Sequence, residues 1–119
     1  TILDNPLLRP LNSVTVSFWG KFPTQSSVNK YVISKGNTGG SDAYSFYFGN
    51  TTNSLSFYVT TTSGFTVSPS VVVNDNEYRY LTGVYDGSLV KLYVNGQQVG
   101  GGVSTSGNIS YNSTNFGLL

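Results

Sequence analysis

Val14, Val16 and Phe18 are apolar, and the residues between them mostly carry hydroxyls. A period of two sends alternate side chains to opposite sides of an extended chain, whereas a helix stripe needs spacings of three and four. The pattern returns with Tyr44, Phe46 and Phe48 in residues 43–48, and with Leu55, Phe57 and Val59 in residues 54–60. Shorter runs hold Tyr31-Val32-Ile33 and Phe65 with Val67, the latter closed by Pro69, which cannot donate to a strand ladder. The 119 residues include one alanine, Ala43, while Val, Thr, Tyr and Phe abound. That composition favours strands over helices, and no helix is predicted.

Turn chemistry fixes how the strands connect. Asp86-Gly87 and Asn95-Gly96 tolerate the positive φ angles of tight hairpins, and alternating residues flank both. With Asn95 and Gly96 as a two-residue loop, Val94 faces Gln97 and Leu92 faces Val99. A two- or four-residue loop at Asp86-Gly87 puts Leu81, Gly83 and Tyr85 on the same face as Val90, Leu92 and Val94. The result is a three-strand meander over residues 78–99. Asn50 to Asn53 reads as another hairpin loop and Gly36 to Gly40 as a flexible one. Short strands joined by Gly, Asn, Ser and Thr loops predict an all-β sandwich or barrel in a single domain, 1–119. No fixed repeat period is present.

Composition removes many function classes. With no Cys and no His, the chain has no disulfides, thiol nucleophiles, thiolate metal sites, imidazole bases or imidazole zinc ligands. Only 9% of residues are charged and the formal net charge is +1, so no broad field draws in nucleic acid or an acidic membrane surface. No apolar stretch approaches the roughly 20 residues that span a bilayer as a helix. The absence of Met predicts a chain that begins after processing or within a longer polypeptide.

The run Glu77 to Gly96, centred on Gly83-Val84-Tyr85-Asp86-Gly87 and ending in Leu92-Tyr93-Val94-Asn95-Gly96, resembles the signature of the concanavalin A-like, laminin G-like jelly rolls. Val14 to Trp19 resembles that family's early strand ending in Trp. Val32-Ile33-Ser34-Lys35-Gly36 resembles its next strand, followed by Tyr44 to Tyr47. The resemblance implies an antiparallel two-sheet jelly-roll sandwich, with Trp19 at a packing position. Tyr78 and Tyr80 stand where the family has Trp and His, a change that core packing absorbs. Measured against the family, the chain looks like a jelly roll lacking its terminal strands. An uncovered sheet edge is therefore expected, completed by a neighbouring subunit or by the rest of a longer chain. Residues 1–119 alone are expected to aggregate or fold poorly.

Candidate chemistry is sparse. Asp75 and Glu77 are the only close carboxylate pair, and the resemblance extends to glycoside hydrolases, but Asn74 to Glu77 reads as a polar turn leading into a strand. Asp42, after the oxygen-rich Asn37 to Ser41 loop, is a candidate calcium ligand, although calcium wants 6 to 8 oxygens and carboxylates are few. No cofactor is expected otherwise. Tyr47 and Tyr58 lie opposite their strands' Phe residues, either as a stacking platform for sugars with Ser45, Ser56 and Thr60, or as cross-strand pairs filling the sheet's second side. Lys21, Lys30, Lys35, Arg79 and Lys91 read as dispersed solvating charges. Asp86 reads as a turn residue bonding its own backbone. Asn50, Asn108 and Asn112 begin N-glycosylation acceptor patterns.

These readings converge on a non-catalytic recognition or adhesion module. Its expected partners are glycans or glycoproteins, with no nucleic acid and no membrane insertion. Its expected place is extracellular, on a cell surface or on a virion. The expected contacts are Asn37, Asp42, Tyr47, Tyr58, Asn112 and Asn115, because loops on a rigid sandwich commonly carry recognition. The alternative is a structural virion protein, a capsid decoration or tail component, packing against its neighbours without sugar.

Overall fold

The structure, a computed structural model, describes residues 2–24, 30–36, 42–49, 53–111 and 116–118. In chain order its strands are β1 Val14–Lys21, β2 Lys30–Lys35, β3 Tyr44–Phe48, β4 Ser54–Thr61, β5 Gly64–Val67 and β6 Val71–Val72. They continue as β7 Tyr78–Tyr85, β8 Leu89–Val94, β9 Gln97–Gln98, β10 Val103–Ser104 and β11 Phe116–Leu118. Apart from a 3-10 turn at Pro6–Leu8, where the Asn5 side chain accepts from Leu7 N, the described residues contain no helix.

One sheet runs β1-β7-β8-β10 with β9 beside β8, and the other runs β11-β2-β3-β4-β5 with β6 beside β4. All pairings are antiparallel. The two sheets pack as a jelly-roll sandwich, as the alternation and the resemblance led us to expect. Among the described residues β1 pairs only with β7, so its other edge carries no strand. At the far sheet's edge, Ile2 and Phe116 exchange backbone hydrogen bonds of 2.7 and 2.9 Å.

The meander follows its turns. Tyr85 lies opposite Val90, Gly83 opposite Leu92 and Leu81 opposite Val94, which is the four-residue loop at Asp86-Gly87. Asp86 Oδ1 accepts from the Ser88 and Leu89 amides at 3.0 and 2.8 Å. Val94 pairs with Gln97, and Val99 N donates to Leu92 O at 2.8 Å. Asn95 and Gly96 both take positive φ, 50° and 82°, as their residue types allow.

The core lies between the inner faces, with Phe46, Phe48, Leu55, Phe57 and Val59 from one sheet and Leu81, Tyr85, Val90 and Leu92 from the other. Phe18 reaches across edge-on to Phe46, ring centroids 5.0 Å apart, and Phe22 meets Phe48 likewise at 5.1 Å. Each such Phe or Leu contributes about 1.5–3 kcal/mol by leaving water.

Three expectations are corrected. Trp19 is not in the core but 68% exposed, because it has the opposite parity to Val14, Val16 and Phe18 on β1 and faces outward. Tyr78 and Tyr80 are likewise exposed and not absorbed by packing, since on β7 it is Leu81, Gly83 and Tyr85 that face in. Lys35 is no solvating charge: its side chain is 1% exposed, and its ammonium donates to Asp4 Oδ1 at 2.8 Å.

That ion pair fastens the N-terminal arm across one end of the sandwich. Asp4 also pairs with Arg9, the Tyr44 hydroxyl donates to Leu8 O at 3.0 Å, the Tyr111 hydroxyl donates to Pro10 O, and Ile109 N donates to Leu11 O.

Candidate functional site

Two outer faces carry aromatic side chains. On the outside of the sheet containing β3 and β4, Tyr31, Tyr47, Tyr58 and Phe65 step across four strands. Their ring centroids are 5.5, 5.9 and 4.7 Å apart in turn. Tyr31 sits directly opposite Tyr47, and the step to Tyr58 is diagonal because Tyr47 sits opposite Ser56 while Ser45 sits opposite Tyr58.

Within this row Tyr58 is only 2% exposed, and its hydroxyl donates to Asp42 Oδ2 at 2.5 Å. Asp42 is itself fully buried. Its carbonyl accepts from Thr60 Oγ1 at 2.7 Å, and the next residue, Ala43, donates its N–H to Lys35 O at 2.8 Å. Burial pushes the Asp42 carboxyl above the ordinary carboxylate value. The Tyr58 hydroxyl opposes that shift, with a weaker pull from the nearby Ser34 hydroxyl. Among the described residues Asp42 Oδ1 finds no hydrogen-bond partner. Burial and the Asp42 carboxyl together push the Tyr58 hydroxyl far above its usual value.

The structure thus brings Asp42, Tyr47 and Tyr58 into one cluster, but as a buried polar anchor beneath a partly exposed Tyr47. It leaves the Tyr58 ring no open face for a sugar. Asn37, Asn112 and Asn115 lie outside the described residues. Of the glycosylation patterns, Asn108 is exposed beside the buried Ile109, while Asn50 and Asn112 lie outside the described residues. No group of three or more His, Cys, Asp or Glu side chains gathers among the described residues.

Asp75 and Glu77 occupy the turn before β7. Asp75 is clamped by Arg79 and also accepts from Glu77 N at 3.3 Å. The guanidinium, before any other group, holds the Asp75 carboxyl below its ordinary value, which suits an ionised anchor and not a proton donor.

The other aromatic surface lies on the outside of the sheet containing β1 and β7, and it was not anticipated. Trp19 and Tyr80 are direct cross-strand partners with ring centroids 5.3 Å apart and planes inclined at 43°. Lys21 pairs with Tyr78 in the same register, its ammonium 5.3 Å from the ring centroid. Tyr78 is 68% exposed, as is Trp19. Tyr80 is held at three points: its N–H donates to Asn95 Oδ1 at 2.9 Å, its carbonyl accepts from Asn95 N at 2.8 Å, and its hydroxyl donates to Ser17 Oγ at 2.9 Å.

Trp19, Tyr78, Tyr80, Asn95 and Gly96 line an open cleft of about 560 Å³. A neighbouring hollow of about 390 Å³ runs from Trp19 past Phe18 and Phe22 to Val32 and Ile33. Strand parity carried the signal for this surface, since residues 15, 17, 19 and 21 face away from Val14, Val16 and Phe18.

Compared with known proteins, residues 1–118 match the family model of the concanavalin A-like lectin/glucanases superfamily. No curated protein matches the chain.

Proposed function

Because the chain belongs to the concanavalin A-like lectin/glucanases superfamily, a family of lectin-like and binding domains, we propose that it is a non-catalytic recognition module for glycans or glycoproteins, displayed outside a cell or on a virus particle. The observation that carries this reading is the exposure of large aromatic rings on the outer sheet faces, beside hydroxyls and amides and with few charges. Exposed rings of this size cost hydrophobic free energy in isolation and favour a ligand that covers them. A glycan array probed with the intact protein tests the reading. Specific binding that free oligosaccharide competes away is the expected result, and its absence overturns the proposal.

The alternative reading, a structural component of a particle, has an observation of its own. Ile2, Leu3, Leu7 and Leu11 on the N-terminal arm are all exposed, which suits packing against a neighbouring subunit. Stoichiometric incorporation into a larger assembly, with no glycan bound, would replace the first reading with this one.

A further inference from the structure

The geometry points to the cleft between Trp19 and Tyr78 as the carbohydrate site. One pyranose ring stacks its C–H face on Trp19, the inclined Tyr80 ring bounds it on one side, and Asn95 and Lys21 bind its peripheral oxygens. This rests on the recognition reading above and places it on the sheet containing β1, away from Asp42, Tyr47 and Tyr58.

Four observations carry it. First, the cleft's volume of about 560 Å³ lies inside the roughly 300–1,000 Å³ range of small-ligand sites. Second, its floor is preorganised, because Tyr80 is fixed through backbone and hydroxyl together, so little ring motion is lost when a ligand settles. Third, the rim is rich in donors. Asn95 spends its Oδ1 on Tyr80 N, which leaves its amide N–H groups to donate, and Lys21 makes no ion pair among the described residues. Fourth, an apolar floor under a donor-rich rim complements a sugar, whose C–H face is apolar and whose perimeter carries oxygen acceptors. An apolar peptide side chain would cover the rings but leave those donors without partners. A nucleic acid would stack equally well, but it needs a run of cations along its phosphates, and among the described residues the cleft's own lining carries no cation, Lys21 lying beside it over the Tyr78 ring.

Trp19 is the sole tryptophan, so its emission reports on this cleft and on the edge of the hollow beside it. The experiment titrates the intact protein with an oligosaccharide selected from the glycan array. Tryptophan emission is followed alongside calorimetry, with Trp19→Ala and Tyr47→Ala as variants whose folding is checked by circular dichroism. The expected result is a blue shift of the emission that saturates with the calorimetric midpoint. Trp19→Ala should weaken binding about tenfold or more, as loss of a stacking partner does, and Tyr47→Ala should leave it unchanged. If the glycan binds with unchanged emission, or Trp19→Ala binds as well as the native chain, the site lies elsewhere and only this inference falls. If no glycan on the array binds, the recognition reading falls with it.

Discussion

Gly83 on β7 lies so close to Phe57 on β4 that a β-carbon on the glycine would stand 2.2 Å from the ring's Cγ. The approach joins the two sheets at their centre, since both residues are buried and Gly83 pairs with Leu92 in the meander. The near atom is the ring's attachment carbon and not a flexible tip, so the ring cannot simply swing away. Gly83→Ala should therefore destabilise the sandwich by about 1–3 kcal/mol or more through overpacking. Phe57→Leu in the same chain should restore part of the loss. Denaturant midpoints check both, and a native midpoint for Gly83→Ala would show that the sheets separate more freely than the structure shows.

The fold was legible where its causes are local. Asp86-Gly87 and Asn95-Gly96 set the meander's register because turn type and alternation agree over neighbouring residues. For Trp19, Tyr78 and Tyr80 family position and strand parity disagree, and parity is the better guide, since Val16 and Phe18 put Trp19 on the other face. Lys35 shares its parity with the core residue Ile33, but what makes its burial tolerable could not be read, because the carboxylate, Asp4, lies 31 residues away. Tyr58 shows the same limit, since nothing near it in sequence announces a buried carboxylate at Asp42.

The N-terminal arm should respond to acid before the sandwich does. Arg9, and after it Lys35, hold the Asp4 carboxyl well below the ordinary carboxylate value. A carboxyl whose folded value is depressed contributes stability that is complete above its unfolded value of about 4 and is lost as pH falls through the folded value. Between about pH 4 and pH 2, the protection of the Ile2 and Phe116 amides, taken relative to their intrinsic exchange at each pH, should fall while that of Phe57 and Leu81 holds. Asp4→Asn should speed exchange in the arm already at neutral pH and remove its acid dependence. Simultaneous loss of protection at all four amides would show that the arm and core unfold as one.

Asp42 should titrate in the opposite sense. Burial raises its carboxyl, so its contribution to stability is complete below the unfolded value and is lost as pH rises through the folded one. The Tyr58 hydroxyl counters this by donating to Oδ2, and Tyr58→Phe removes that donor while keeping the ring. The Asp42 midpoint should then move further up, and stability should fall by about 1–3 kcal/mol, the cost of leaving a buried polar group without its partner. Carboxyl carbon NMR across the acid range checks the direction. A midpoint unmoved by Tyr58→Phe would mean that Tyr58 and Asp42 are not joined in solution.

Two glycines separate the conformational role of a turn from its packing. A β-carbon at Gly96 or at Gly101 meets nothing within 4 Å, so neither alanine would clash. Gly96, however, has φ 82° in the Asn95-Gly96 hairpin, a region that side chains with a β-carbon avoid, whereas Gly101 is not held at such an angle. Gly96→Ala should cost about 1–2 kcal/mol from backbone strain alone. Gly101→Ala should be neutral or add up to about 1 kcal/mol by restricting the unfolded chain. Because Asn95 holds both backbone groups of Tyr80, Gly96→Ala should also loosen the Trp19–Tyr80 floor, visible as a change in tryptophan emission that Gly101→Ala does not produce. Equal melting midpoints for the two variants would show that the hairpin does not need its positive φ angles.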